Sequence, residues 1–387
     1  MSQRKLNVPS PTLGIREAAG ALLRPLALEC AERDCAELAG APHAVLFASA
    51  RGALAAAAAC VAEGREVTLP AYTCIAVANG MRSAGVPYGF VDVAEDGTVP
   101  VERWEGAQVA LVQDTYGFPA AVPEGIVAIR DCAHRADLLR ADGVAVAVTS
   151  FEHSKWLSAG RGGLAVTRDA ALAERMRAWR DRTPRPGHAA RLRHGLSTLL
   201  LLLLGRLLFA GRLPRAQQAL AIAADVLAPS AIAGQSIDEL GGQGVGPELL
   251  GPPNGTVCRL VVSQLRRSGE VGAHRAGIVA LYDSAAGIER EPLPLVRYPL
   301  RVDDVGAFER ALAAAGYDAE GRWFDAPLHP GGSDPAAFGY RWGSAPTAEA
   351  LAEHVVNLPT HTLLSADDAR ALITAALGAG ARPVRRA

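Results

Sequence analysis

The sequence predicts an α/β fold in which a mostly parallel central sheet is flanked by helices and followed by a smaller C-terminal α+β domain. Short apolar runs alternate with helical stretches from about residue 40 to 170, which is the pattern of βαβ units. The chain has 387 residues, half of them apolar, and can therefore fill the cores of two domains. We expect a large domain over residues 1–255, with a leucine-rich helical insertion at about 190–215, and a small domain over residues 256–387.

The strands of the large domain are predicted from short apolar segments that are each followed by a turn or a helical pattern. An alanine-rich helix from about Arg51 to Glu63 is closed by Gly64, and another helix is expected to begin near Tyr72. The strands are short enough to be buried parallel strands. They are His43–Phe47, Glu66–Pro70, Tyr88–Val93, Gln108–Val112, Ile126–Arg130 and the valine-rich run Val144–Thr149.

The C-terminal third follows a different order of elements. A stretch rich in glycine and proline, residues 228–255, is predicted to be a loop. Beyond it we expect a helix from about Cys258 to Ala286, a strand near Val296–Val302, a helix Val305–Ala315 and a final helix Ser365–Leu377. This order favours an α+β domain.

Charge and cysteine content narrow the classes of function. A formal net charge of −1 gives no electrostatic basis for nucleic-acid binding. The six cysteines have neither CxxC nor zinc spacing, and a chain with this much core needs no disulfides, so we expect reduced thiols in the cytoplasm and no metal site. The N-terminus lacks an apolar signal core, so secretion is not expected.

The segment 196–210 is rich in leucine. It is too short, and too interrupted by Arg206 and the flanking glycines, to span a bilayer, which needs about 20 apolar residues. A buried helix or a helix at a subunit interface is favoured, and a helix that lies on the membrane surface is the alternative.

The most informative segment is Ser150-Phe-Glu-His-Ser-Lys155-Trp-Leu-Ser-Ala-Gly-Arg-Gly-Gly163. Its lysine lies between the valine-rich strand and a glycine-rich turn. A lysine amine that is held at a strand end and partly desolvated has a free lone pair for Schiff-base formation, and glycines let the backbone pass close to a bulky ligand. Most lysines are solvated surface charges, so this interpretation depends on the residues upstream.

Two upstream features complete a pattern. Asp131 follows the strand Ile126–Arg130; there a carboxylate either caps a helix or points into the ligand crevice, where it would keep a pyridine nitrogen protonated. The segment Ser49-Ala50-Arg51-Gly52 precedes a helix, where free amides and the helix dipole bind anions. A phosphate cradle, a ring-nitrogen acid and an amine, in that order, are what a pyridoxal 5′-phosphate (PLP) enzyme of fold type I requires.

The chain also resembles the DegT/StrS-type family of sugar aminotransferases over nearly its whole length. The matching segments are Ser49-Ala-Arg-Gly-Ala-Leu54, Leu69-Pro-Ala-Tyr-Thr-Cys-Ile-Ala-Val-Ala-Asn79, Arg82 through Val93, Tyr116-Gly-Phe-Pro-Ala120, Arg130-Asp-Cys-Ala-His134, Ser150 through Gly163, Pro327-Leu-His329 and Leu358-Pro-Thr-His361.

The resemblance implies a role for each matching residue. Lys155 would be the catalytic residue, which binds the cofactor aldehyde and carries protons. Asp131 would pair with the pyridine nitrogen, and His134 would contact the phenolic oxygen. The phosphate would be held at the helix start and after the later strand, by Ala50, Arg51, Gly52 and Ser150.

Other positions depart from the family or concern the substrate. Cys74 stands where the family has the aromatic residue that stacks on the ring, so Tyr72 is the candidate for that contact. The candidates for substrate contact are His153, Tyr116 and His329, although a solvent-facing His153 and a structural His329 are the alternatives.

The function implied by the resemblance is amino transfer from glutamate or glutamine to a keto-sugar or related ketone, in secondary-metabolite or polysaccharide biosynthesis. A homodimer with a shared active site is implied as well. Alternatives are another PLP reaction (elimination, epimerisation or C–N bond formation), a non-catalytic PLP-binding regulator, and work at a membrane surface through residues 196–210.

Overall fold

The computed structural model describes residues 4–6, 10–209, 236–318 and 322–386. Its strands, in chain order, are β1 (Arg4–Lys5), β2 (His43–Phe47), β3 (Val67–Pro70), β4 (Thr73–Cys74), β5 (Tyr88–Val91), β6 (Val109–Gln113), β7 (Val127–Asp131), β8 (Val146–Ser150), β9 (Gly163–Thr167), β10 (Arg297–Arg301), β11 (Tyr317–Asp318), β12 (Leu328–His329), β13 (Val355–Pro359) and β14 (Arg382–Pro383).

The α-helices of the described residues surround these strands. In chain order they are α1 (Ile15–Leu23), α2 (Leu28–Ala39), α3 (Ala50–Ala62), α4 (Ile75–Ala84), α5 (Ala170–Arg180), α6 (His188–Phe209), α7 (Ile237–Leu240), α8 (Pro247–Leu250), α9 (Gly255–Arg266), α10 (Ser268–Ala285), α11 (Val305–Ala314), α12 (Pro346–His354) and α13 (Ala366–Gly378).

A seven-stranded sheet lies at the centre, in the order β2-β9-β8-β7-β6-β3-β5. Within this sheet β9 runs antiparallel to both neighbours and the other pairs are parallel. Every residue of β6, β8 and β9 is buried, as expected for strands that helices cover on both faces. The predicted α/β fold with a mostly parallel sheet is confirmed, and the predicted strands lie within two residues of the observed ones.

Two predictions of local structure are wrong. The helix expected near Tyr72 begins at Ile75, because Thr73 and Cys74 pair as a short strand with β12 from the C-terminal part. The loop expected over residues 228–255 contains the short helices α7 and α8 in its described part; residues 228–235 lie outside the described ranges.

The C-terminal part contains a three-stranded antiparallel sheet in the order β13-β10-β14. Helix α13 packs against both α10 and α11, and Tyr282 of α10 donates a hydrogen bond to the Pro359 carbonyl at the end of β13. The helix predicted from Cys258 to Ala286 is two helices, α9 and α10, separated at Arg267. Because α9 packs against α1 and α2, it extends the layer of the large domain. The division at residues 255 and 256 stays a prediction.

The described part of the leucine-rich segment lies in α6, which buries several polar residues together with Leu202 and exposes other leucines. His194, Ser197 and Thr198 are buried, whereas Leu192, Leu196 and Leu203 are 51%, 53% and 50% exposed. Among the described residues, none of the helices combines the length and the apolar character needed to cross a membrane. Residues 210–215 of the predicted insertion lie outside the described ranges.

Candidate active site

A cavity of about 220 Å³ opens where the parallel strands β6, β7 and β8 end. Gln113, Asp131 and Ser150 are the last residues of these strands, and all three line it. The carboxyl edge of a parallel sheet is where α/β proteins bind ligands, so the fold directs three polar side chains of different chemistry into one cavity.

Lys155 reaches this cavity from the turn after β8. Its Nζ lies 3.5 Å from His134 Nε2 and 5.0 Å from the centre of the Trp323 ring. The turn is held at its base, because the Phe151 amide donates to the Gly162 carbonyl at 3.0 Å and the Ala159 amide donates to the Phe151 carbonyl at 2.9 Å. The amine is thus fixed on a short, hydrogen-bonded loop.

The composition of the chain is a second reason to assign a chemical role to Lys155. Of 39 basic residues, 37 are arginine, and the two lysines are Lys5 and Lys155. A guanidinium is permanently charged and cannot replace an amine as a nucleophile. In a chain that uses arginine for nearly all its positive charge, a lysine in the cavity indicates that amine chemistry is needed there.

Asp131 is buried at the end of β7, where it pairs with Gln113 and Val148 on the neighbouring strands. Its Oδ1 accepts a hydrogen bond of 2.9 Å from the Ala133 amide. Burial raises the pKa of the Asp131 carboxyl to about 6, and the Ala133 amide and the charge of Lys155 oppose that rise. The carboxylate would therefore gain from a cationic partner in the cavity.

His134 is neutral, and its tautomer is fixed. Burial is the main reason that its pKa is well below the ordinary value, and the charges of Lys155 and Arg297 add to the effect. The Tyr116 amide donates to Nδ1 at 3.1 Å, so the proton of the neutral ring is on Nε2, which points towards Lys155. The Trp323 ring lies against the imidazole, with ring centres 4.5 Å apart.

The start of α3 forms another part of the wall, through Ser49, Ala50 and Arg51. Gly52 does not line the cavity: its amide donates to Ser49 Oγ at 3.3 Å, and a Cβ there would lie 2.6 Å from the Leu249 carbonyl oxygen. Gly52 therefore makes room for α8. The Arg51 guanidinium is ion-paired, with Nε 3.0 Å from Oε1 of the buried Glu239.

Of the remaining predicted residues, the structure brings some to the cavity and not others. Cys74, His153 and His329 line it. His153 is buried, with Nδ1 2.8 Å from Ser10 Oγ, so the solvent-facing alternative is wrong. Tyr72 and Tyr116 lie behind the wall, joined by a hydrogen bond of 2.6 Å between their hydroxyls, and neither lines the cavity.

Sequence reasoning missed two kinds of cavity residue. Trp323 and Phe324 supply aromatic surface opposite Lys155, but they come from the C-terminal part and are placed by the pairing of β12 with β4. Arg161 is a cation of the lysine segment itself, and its position between the two glycines Gly160 and Gly162 was a signal that spacing alone could have revealed.

Solved structures of low sequence identity share the fold of this chain over nearly its whole length. DesV from S. venezuelae has a similar structure, with a TM-score of 0.68 at 21% identity, covering 96% of this chain and 99% of that one. An aminotransferase from Brucella abortus gives a TM-score of 0.65 at 19% identity, covering 94% and 95%.

The family resemblance seen in the sequence is confirmed over residues 27–107, which the model of the DegT/DnrJ/EryC1/StrS aminotransferase family matches. A UDP-N-acetyl-3-dehydro-alpha-D-glucosamine 3-aminotransferase from Acidithiobacillus ferrooxidans is 33% identical over 174 residues, 39% of this chain and 47% of that protein. An L-glutamine:2-deoxy-scyllo-inosose aminotransferase from Streptomyces kanamyceticus is 32% identical over 155 residues, 33% and 36%. The chain thus spans less than half the length of these curated relatives.

Proposed function

We propose that this chain is a PLP-dependent aminotransferase that moves an amino group from glutamate or glutamine to a keto-sugar or related ketone in secondary-metabolite or polysaccharide biosynthesis. The observation that carries the proposal is the convergence of an amine, a buried carboxylate and a neutral imidazole donor, from Lys155, Asp131 and His134, in one cavity at the carboxyl edge of a parallel sheet.

The donor set of the cavity fits PLP. The amides of Ala50 and Arg51 at the start of α3 and the hydroxyl of Ser150 suit a phosphate. Asp131, a buried carboxylate with a raised pKa, suits a protonated ring nitrogen. When bound, PLP supplies an aldehyde for the amine and an electron-withdrawing ring.

The side chains that face the cavity have separate roles in the proposed reaction. Of the described residues that line the cavity, Lys155 alone carries an amine. It would bind the cofactor aldehyde, and it would take and return the proton of the substrate carbon that loses or gains nitrogen. His134 would donate from Nε2 to the phenolic oxygen of the cofactor, while the Tyr116 amide and Trp323 hold the imidazole ring in place. Trp323 and Phe324 exclude water from the side opposite the lysine turn.

The aromatic contact with the cofactor ring is the part of the site that departs from expectation. Tyr72, the candidate from the sequence, is fully buried in a cluster with Phe324, the ring centres 4.9 Å apart. Cys74 faces the cavity in its place. We assign the aromatic wall to Trp323 and Phe324 and give Tyr72 the supporting role of packing behind them.

The substrate class rests on the relatives, whose names specify a UDP-linked keto-sugar and a keto-cyclitol. The two half-reactions test it. Mixing the PLP-loaded protein with glutamate should give a single-turnover absorbance change and one 2-oxoglutarate per site. A screen of nucleotide-linked keto-sugars, keto-cyclitols and simple ketones should then reverse the change. A stable coloured protein that yields neither 2-oxoglutarate from glutamate nor 2-oxoglutaramate from glutamine would indicate a non-catalytic regulator, and a product other than amine would indicate another PLP reaction.

Placement in the cytoplasm is part of the proposal. All six cysteines lie in the described part of the chain, and none of them forms a disulfide there. Thiols that stay reduced are typical of a reducing compartment.

We further propose a homodimer, for which the exposed face of α6 (Leu192, Leu196 and Leu203) offers an apolar contact surface. Replacing Leu196 and Leu203 with glutamate should raise the dimer dissociation constant by at least about 30-fold, because two charges would be buried in the contact. Sedimentation equilibrium measures the effect. Ile237→Glu, at a residue 87% exposed on α7, is the matched control.

The same variants test peripheral membrane contact. The wild type and the two variants are sedimented with anionic liposomes. If the wild type co-sediments, and Leu196→Glu and Leu203→Glu abolish this binding without changing the oligomeric mass, the leucine face contacts a membrane surface instead. A wild-type protein that is active as a monomer would contradict the homodimer.

A further inference from the structure

Arg161 enters the cavity at the point where two strand ends meet the start of α3. Gly163 pairs with Phe47 at the end of β2 on one side and with Ser150 at the end of β8 on the other. Gly162 bridges to Ser49, the residue immediately before α3. Arg161 is therefore placed between the first turn of that helix and Ser150, and its side chain lines the cavity.

The approach of this segment to α3 depends on its glycines. A Cβ on Gly163 would overlap the backbone of Ser49 and would lie 2.5 Å from the Ala50 nitrogen. Gly162 has φ +127°, a conformation that other residues rarely adopt. The backbone that carries Arg161 thus passes in contact with the amides proposed to hold the cofactor phosphate.

The charge of Arg161 is poorly balanced. Among the described residues its guanidinium makes two long contacts, from Nε to the Ala48 carbonyl and from Nη2 to the Glu248 carbonyl, both of 3.4 Å, and no ion pair. Burial lowers the pKa of this guanidinium. By contrast, Arg51 is paired with the buried Glu239 at 3.0 Å. Arg161 is half-buried, and the charge of Glu248 only partly offsets the desolvation of its guanidinium, so an anion bound beside it would lower that cost.

We propose that Arg161 is the side-chain counter-ion of the PLP phosphate and that Arg51 contributes its amide while its guanidinium fastens α7 through Glu239. This inference rests on the proposed function. It divides the phosphate contacts into two amides at the start of α3, the Ser150 hydroxyl at the end of β8, and one guanidinium from the glycine-rich turn. The lysine segment then supplies both ends of the cofactor site, with an amine for the aldehyde and a cation for the phosphate.

The test compares two probes that share the aldehyde and differ in the phosphate. The cofactor-free protein and its Arg161→Gln variant are titrated with PLP and with pyridoxal, and binding is followed by absorbance and tryptophan fluorescence. A charged hydrogen bond of this kind corresponds to about 10- to 100-fold in affinity. We therefore expect the Kd of the variant for PLP to rise by that factor and its Kd for pyridoxal to stay unchanged.

Two further variants complete the design. Arg168→Gln removes a guanidinium that is exposed and 3.2 Å from Asp142, so both dissociation constants should match those of the wild type. Arg161→Lys keeps the charge and should recover part of the affinity for PLP. It also keeps the test open if Arg161→Gln does not fold, which thermal unfolding of the cofactor-free proteins would reveal.

The outcomes separate this inference from the proposed function. Equal losses for PLP and pyridoxal would show that Arg161 only supports the fold, and unchanged affinity for PLP would show that it does not meet the phosphate; either result overturns the inference alone. A wild-type protein that binds neither probe would overturn the proposed function itself. Inorganic phosphate should raise the unfolding temperature of the wild type and not that of Arg161→Gln.

Discussion

Replacing Lys155 with alanine is expected to lower kcat for amino transfer by about 10⁴-fold or more, because the variant loses both the nucleophile and the group that moves the substrate proton. Arginine at this position should be equally inactive, since a guanidinium is permanently charged. The variants should still bind PLP through the phosphate and ring contacts, so the loss should appear in kcat more than in cofactor affinity.

The composition of the chain makes this experiment unusually direct. Borohydride reduction of the PLP-loaded protein should attach one pyridoxyl group to the peptide that spans residues 150–163. Lys5 is the other lysine of the chain and therefore the matched control. Lys5→Arg should keep the full label and activity, and Lys155→Arg should lose both. Label on Lys5, or activity without Lys155, would contradict the assignment.

Replacing Asp131 with asparagine should have opposite effects on activity and on the stability of the cofactor-free protein. Activity should fall by about 10²- to 10³-fold, the usual loss when one charge that stabilises the transition state is removed. Stability should rise at neutral pH, because folding without a cofactor buries the carboxylate and raises its pKa to about 6, above the value of about 3.9 in an unfolded chain.

The pH window follows from these two values. A carboxyl group with a raised folded-state pKa contributes stability below pH 4, and that contribution is lost as the pH rises through about 6. The wild-type and Asp131→Asn proteins should therefore have similar unfolding free energies near pH 4. At pH 7 to 8 the variant should be more stable by about 3 kcal/mol at most, at 1.36 kcal/mol per pKa unit.

Urea denaturation of the two cofactor-free proteins at several pH values measures this difference. Asp142→Asn is the control, because Asp142 is 71% exposed and its loss should change stability by no more than about 0.5 kcal/mol. Addition of PLP should stabilise the wild type more than Asp131→Asn. A variant that is less stable than the wild type at pH 7 without cofactor would show that Asp131 serves the fold rather than the ligand.

The sequence predicted the parts of the site that depend on local patterns. Asp131, Ser150 and Lys155 lie at or just after short buried strands, and parallel pairing brings such positions to one edge. The six strands predicted for the large domain lie within two residues of the observed ones, since each is a short apolar run between turns, whereas the central strand β9 (Gly163–Thr167) was not predicted.

The parts that depend on distant packing were not predictable. Trp323 reaches the cavity because β12 pairs with β4, and no local pattern announces that pairing. Tyr72, the candidate for the ring contact, lies behind the cavity wall for the same reason, since its hydroxyl bonds to Tyr116 and its ring packs on Phe324. The sequence also contains no sign that the Arg51 guanidinium forms an ion pair with Glu239, a residue that lies almost 190 positions further along the chain and is only 2% exposed.

The absence of space beside Gly163 limits how this site can vary. Even the single methyl group of alanine at this position would push β9 away from Ser49 and Ala50 at the start of α3. Because Ser150 pairs with Gly163, this shift would also move Ser150 away from the Ala50 amide. A chain that keeps this geometry can change the cation two positions earlier, and with it the preferred anion, but it has no such freedom at Gly163.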